Sequence, residues 1–331
     1  MLAPPTYAVG TSAKEQAMAE PQVITIEEHF WTPGIRDASG VTEFIKQPEI
    51  MRRLDDLGEL RIREMDDAGI DLQVLSENAP AAQALTADVA IAMTRTSNDM
   101  LYEAIQAHPD RFAGFATLPT PDPKAAANEL ERCVSRLGFK GGMIMGLTHG
   151  RFLDEKEFMP IFERAVALDV PLYFHPSFPH KAVVDVYMKD HPSLHSAALG
   201  FTIECMTQMM RLVTSGVLDK FPKLKVILGH LGEGLPFMMW RNDQALARFI
   251  KLQRRFNQYM RDNVWVTTSG AFQHTALTLS IAELGIERVL YSVDWPFQSN
   301  IEGRDFMASA PISEHERALI LGGNARQLLK L

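Results

Sequence analysis

The chain is predicted to form an α/β fold: a single (β/α)8 TIM barrel with a long loop after strand 5 and an N-terminal arm. Two observations carry that expectation. Short β-branched or apolar runs alternate eight times with amphipathic helical stretches between residues 23 and 331, the pattern of parallel strands joined by crossover helices. In addition, His, Asp and Glu recur at the C-terminal ends of those runs, where a barrel keeps its active site. At 331 residues, 46% of them hydrophobic, the chain can bury one full barrel core. No repeat, low-complexity tract or linker divides residues 21–331, which are read as one catalytic domain behind a flexible arm of residues 1–20.

The first strand is residues 23–29, VITIEEH, a β-branched run without Pro or Gly. Alternation places Glu27 and His29 on one face, towards the barrel axis, and Glu28 on the other. Residues 30–48 form a Pro- and Gly-punctuated loop long enough to help cover a site. Residues 49–68 are predicted as one helix with Met51, Leu54, Leu57, Leu60 and Met65 on one face, stopped by Gly69. Strand two is residues 71–76 and a long helix spans 84–108. Strand three, residues 112–118, ends in Pro119, Pro121 and Pro123. Residues 124–137 are helical, 141–145 a short buried strand, 155–168 a helix and 170–175 (VPLYFH) the fifth strand.

The connection over 176–198 holds His180, His191 and His195 among several prolines; a loop of that length is usually a lid or binding loop. A helix over 199–215 leads to strand six, residues 224–229. The helix predicted over 235–260 is basic on its outer face (Arg248, Lys251, Arg254, Arg255), read as a solvated face or subunit contact. Strand seven is residues 264–269, its helix 275–284, and strand eight is 288–294 (RVLYSVD). A last helix starts near residue 313 and breaks or kinks at Gly322 and Gly323.

A net charge of −8 argues against a general nucleic-acid binder, which needs a basic surface. Cys133 and Cys205 offer neither a disulfide framework nor a paired zinc motif, so a reducing compartment is expected. No apolar run approaches a membrane span, and residues 1–20 lack the pattern of a signal peptide. The expectation is a cytoplasmic protein without a membrane partner, a homodimer or homotetramer through its arm and basic helix.

Strand ends then supply the chemistry: Glu27 and His29 on strand one, His175 on strand five, His230 on strand six and Asp294 on strand eight. Any one of these taken singly is more often structural; their common place in the βα unit raises the odds. Imidazole and carboxylate ligands suit zinc, manganese or a similar divalent ion and leave room for water or substrate. The predicted ligands are Glu27, His29, His175 and Asp294, with zinc first and manganese or magnesium as alternatives. His230 and Glu233 lie at a tight strand-to-helix turn, where the carboxylate orients the ring and holds a proton on it; Glu233 also suits a helix N-terminus.

These segments, IEEHF, LYFHP, VILGHLGEGLPFMMWR, TTSGAF, YSVDWPF and GGNARQLLKL, together resemble the amidohydrolase-related non-oxidative decarboxylases. That group includes the γ-resorcylate and 2,3-dihydroxybenzoate decarboxylases and, more distantly, aminocarboxymuconate semialdehyde decarboxylase. The resemblance runs in order over residues 23–331. It implies metal ligation by Glu27, His29, His175 and Asp294, a catalytic set of Asp294, His230 and Glu233, and substrate contacts from Phe297 and Arg241. Glu27 stands where the distant relatives have histidine, which favours the hydroxybenzoate branch. Two features depart from the pattern: Ser177 follows His175-Pro176 where many of the group have arginine, and the arm before Val23 is longer than usual.

The expected reaction is therefore metal-dependent decarboxylation of a small hydroxylated aromatic acid, with Asp294 protonating the ring carbon and no organic cofactor. Its rival is hydrolysis of an amide, ester, lactone or ring-cleavage product by metal-activated water. Decarboxylation needs a dry aromatic slot, for which Trp295, Phe297 and Phe178 are the candidates; Phe30 is read as core. A non-catalytic barrel would have lost ligands, and none is lost.

Overall fold

The computed structural model describes residues 22–331, so the predicted arm lies outside the described residues. Among the described residues nine strands follow in chain order, with helices between all but β3 and β4: β1 (Ile24–Phe30), β2 (Leu72–Glu77), β3 (Phe112–Gly114), β4 (Ala116–Thr117), β5 (Gly142–Met145), β6 (Leu172–His175), β7 (Val226–Leu228), β8 (Val264–Thr267) and β9 (Val289–Leu290). Every pairing is parallel, in the order β1-β2-β3 and then β4-β5-β6-β7-β8-β9. The predicted third strand is split at Phe115, whose N–H turns back to Leu75 O while the next amide, Ala116, donates to Gly141 O. Those two bonds carry one sheet into the other, so nine short strands make eight barrel staves.

Between β9 and β1 no ladder forms among the described residues. The seam is bridged by His29 N–H donating to Trp295 O at 2.8 Å and by side chains. Strand residues are buried on both faces, as a parallel sheet sheathed in helices requires. Inside the barrel Ile24, Ile26, Val74, Phe115, Met143, Tyr173 and Ile227 pack together, with Leu328 and Leu329 of the C-terminal helix in the same cluster.

Alternation alone would put Ile24 and Ile26 on the opposite face from Glu27 and His29. The structure resolves this with an extra residue in β1 between Thr25 and Glu28, a bulge against β2. The phase flips there, so Ile26 and Glu27 both reach Tyr173's side of the sheet.

Three predicted helices are broken. The one expected over 49–68 is two, Pro48–Leu54 and Glu59–Ala68, because the Asp56 side chain accepts from Gly58 N and Arg61 N and starts the second afresh. The one expected over 235–260 stops at Phe249 and resumes at Phe256. Asp243 accepts from the Arg255 guanidinium and from Phe256 N at 2.9 Å, folding the chain back. The C-terminal helix carries a π turn over Leu319–Gly323, at the predicted glycine kink. The 176–198 connection contains a short helix, Lys181–Tyr187, and a 3-10 turn, Pro192–Leu194.

Candidate active site

The end of β1, the end of β6 and the stretch that follows β9 deliver Glu27, His29, His175 and Asp294 to one point, each offering a ligand atom within 4.8 Å of the others. Second partners aim each group. His175 Nδ1 lies 2.7 Å from Pro176 O; a carbonyl only accepts, so Nδ1 carries the proton and Nε2 keeps its lone pair. His29 Nδ1 meets Ser76 Oγ at 3.1 Å, which turns its Nε2 inward. Glu27 Oε2 accepts from three hydroxyls: Tyr173, Thr267 at 3.0 Å, and Ser269.

Glu27 Oε1, His29 Nε2 and His175 Nε2 remain buried without a hydrogen-bond partner. His29 Nε2 is 3.2 Å from Asp294 Oδ1 and His175 Nε2 is 3.2 Å from Glu27 Oε1, but neither approach has hydrogen-bond geometry. Buried polar atoms are seldom left orphaned, and three converging on one point with a carboxylate fit a divalent cation. Burial alone would raise Glu27, yet His230 and His175 beside it bring its carboxyl down to about 2. Burial and the neighbouring Glu27 charge push Asp294 up to about 7.

His230 follows β7 in a strained turn: His230, Leu231 and Glu233 all have positive φ, at 51°, 53° and 54°. Non-glycine residues held there mark functional sites. The turn brings His230 Nδ1 to 2.5 Å from Glu233 Oε1, while Glu233 Oε2 accepts from Thr202 Oγ1 at 2.8 Å. Burial disfavours the imidazolium, but the Glu27 and Glu233 carboxylates outweigh it and raise His230 to about 10. His230 Nε2 lies 3.7 Å from Glu27 Oε1, at the edge of the ligand cluster. Just before it, Gly229 makes room: a Cβ there would stand 3.0 Å from Glu27 Oε2.

Phe297 borders the cluster, its ring 6.1 Å from that of His29, and is partly exposed, as is Phe178. The Phe178 ring leans against that of Phe44 at 47°, with centroids 4.8 Å apart, joining the loop after β6 to the loop after β1. Trp295 is buried instead, its ring 4.0 Å from the Arg61 guanidinium and its N–H donating to Glu64. Arg241 is exposed on helix Leu235–Phe249. Phe30 is core, and Cys205 is buried. Ser177, at the departure from the family pattern, is buried and donates its backbone N–H to Glu204 at 2.9 Å.

The sequence reading passed over the hydroxyls around Glu27. Tyr173 was the accessible one, since it precedes His175 by two on a strand and so shares its face. It also passed over Glu28, fully buried, whose carboxylate accepts from Ser292 Oγ and from Val293 and Trp295 N–H.

Residues 24–331 match the amidohydrolase family. The gamma-resorcylate decarboxylase of Polaromonas sp. is 40% identical over 322 residues, covering 93% of this chain and 98% of that protein. A solved 2,6-dihydroxybenzoate decarboxylase complexed with 2,6-dihydroxybenzoate superposes with a TM-score of 0.88 at 38% identity, over 94% of this chain and 99% of the other. A dihydroxybenzoic acid decarboxylase from Polaromonas sp., solved with bound manganese and the inhibitor 2-nitroresorcinol, gives a TM-score of 0.88 at 39% identity, over 94% and 97%.

Proposed function

Since the chain belongs to the amidohydrolase family, we propose that it is a metal-dependent, non-oxidative decarboxylase of a hydroxylated aromatic carboxylic acid, of the hydroxybenzoate or resorcylate type. The observation that carries this reading is the convergence of Glu27, His29, His175 and Asp294 on one point beside the His230–Glu233 pair. The decarboxylase names of the relatives support it.

The difficulty in taking carboxylate off an aromatic ring is charge, because direct loss of carbon dioxide leaves an aryl anion. Glu27, His29, His175 and Asp294 would hold a divalent ion, which would supply Lewis-acid charge to the bound substrate. Asp294, whose carboxyl burial and Glu27 raise above the usual range, passes its proton to the ring carbon bearing the carboxylate. His230, kept charged by Glu233, stabilises the negative charge on the ring hydroxyl oxygen. The carbon–carbon bond then breaks, its electron pair returns to the ring, carbon dioxide leaves, and Asp294 regains a proton from solvent. No organic cofactor takes part.

Phe297 and Phe178 are proposed to face the ring, with Trp295 as the wall behind Phe297 and Arg241 as a further substrate contact. Two imidazoles and two carboxylates suit zinc, whereas manganese is the ion in one solved relative; metal analysis of the purified protein separates them. Residues 21–331 act as one catalytic domain. The proposed setting is the cytoplasm, in a homodimer or homotetramer, for which Phe237, Trp240 and Phe249, exposed on helix Leu235–Phe249, supply apolar surface. No described helix is long and apolar enough to cross a membrane.

The test is incubation with a panel of hydroxybenzoates, following bicarbonate release and loss of ultraviolet absorbance. Turnover of a lactone or amide, with no carbon dioxide evolved from any hydroxybenzoate, would assign the site to hydrolysis.

A further inference from the structure

The seam between β1 and β9 holds two buried ionisable side chains, Glu28 and Arg61, that touch none of the reacting groups. We propose that Glu28 and Arg61 are positioning residues that set where Asp294 stands against His29. Their effect on turnover rests on the decarboxylase reading; their effect on the ligand cluster does not.

The β9 ladder ends at Leu290, so the chain that carries Asp294 leaves the sheet before reaching it. Buried amides in that stretch still need acceptors. Glu28 provides them: Oε1 accepts from Val293 N at 3.0 Å and from Ser292 Oγ at 2.8 Å, and Oε2 accepts from Trp295 N at 2.9 Å. The two amides flanking Asp294 therefore end on one carboxylate. Asp294 itself has φ of +73°, a left-handed conformation that persists only where the surroundings impose it. Gripping the residues on either side is how Glu28 imposes it.

Arg61 ties the same stretch to β1. Fully buried, it donates from Nη2 to His29 O at 2.6 Å and from Nε to Asp56 O at 3.0 Å. Its guanidinium plane lies 4.0 Å from the Trp295 ring. One side chain thus holds the backbone of one proposed ligand and the neighbour of another. The competing account is a strut that only stabilises an unladdered seam. A strut moves the melting temperature alone, whereas a positioning pair also moves the ligand geometry.

Glu28→Gln keeps the size but puts an amide nitrogen where one of the donors now ends. Arg61→Lys keeps the charge and loses the plane, and decides the matter if the first variant does not fold. Each is loaded with Co(II), and its visible spectrum and metal stoichiometry are compared with wild type and Asp294→Asn; kcat and KM are measured on whichever hydroxybenzoate the wild type turns over. We expect one Co(II) per chain, a spectrum displaced towards that of Asp294→Asn, and KM nearly unchanged, with kcat lowered about 100-fold, the effect of misplacing a reacting group by an ångström. Folded variants with the wild-type spectrum and kcat, whatever their melting temperature, would overturn the proposal. If the wild type turns over no hydroxybenzoate, the decarboxylase reading fails and the spectra still decide the placement.

Discussion

His29 Nε2 lies 3.2 Å from Asp294 Oδ1, although His29 stands on the first strand and Asp294 in the stretch that follows the last. Neither atom is spent on a hydrogen bond between them. Burial and the Glu27 charge raise Asp294, the proposed proton donor and a member of the ligand cluster, to about 7.

Replacing that donor should stop the reaction. Asp294→Asn removes the transferable proton while keeping shape, and kcat should fall by at least about a thousandfold, within the range of a lost general acid. Bicarbonate release from a hydroxybenzoate measures it. Full activity in the variant would take Asp294 out of the mechanism.

Metal removal should cost both activity and stability. Glu27 Oε1, His29 Nε2 and His175 Nε2 have no protein partner, so an ion is what satisfies them. Dialysis against chelator should abolish turnover and lower Tm, with both restored by zinc or manganese. An ion at a hundred times its Kd stabilises by about 2.7 kcal/mol, readily seen by calorimetry. An unchanged Tm across chelation would argue against a metal site.

Glu233 should govern the charge on His230. The Glu27 and Glu233 carboxylates hold that imidazolium up to about 10 against burial. Glu233→Gln removes one of them, so His230 should lose its proton at a lower pH, and kcat should drop at alkaline pH first. NMR titration of the ring reports the shift directly. A titration that does not move would leave Glu233 as a plain turn residue.

A fourth prediction concerns stability away from the cluster. Glu77 is buried, accepts from Thr32 and Ser97, and is pushed by burial from 4.5 up to about 8. The folded chain keeps this proton where the unfolded chain releases it, so the stability Glu77 contributes is full below pH 4.5 and drains away up to pH 8. Glu77→Gln has no proton to lose. Its stability relative to wild type should therefore rise between pH 5 and pH 8.5, measured by urea unfolding at each. A constant difference would show Glu77 ionised in the folded state.

Much of the candidate site was legible because a barrel gathers its strand ends and the proposed ligands are ionisable residues placed there. Glu27, His29, His175, His230 and Asp294 could be found for that reason. The route by which Glu27 arrives could not. Simple alternation does not foretell the bulge between Thr25 and Glu28, and only that bulge lets Ile26 and Glu27 share a side. Glu28 was hidden for a related reason: it faces away from the axis, and its partners at Ser292, Val293 and Trp295 are contributed by the far end of the chain. The breaks at Asp56 and Asp243 escaped notice because each depends on one side chain capturing backbone amides, which hydrophobic periodicity does not record.

At position 229 a single methyl group would come within 3.0 Å of the Glu27 carboxylate and 3.3 Å of the Tyr173 hydroxyl. Any side chain there must displace the carboxylate that three hydroxyls hold in place. A change in the shape of the site meets less resistance at the rim, where Phe44 and Phe178 lean together from the loops after β1 and β6.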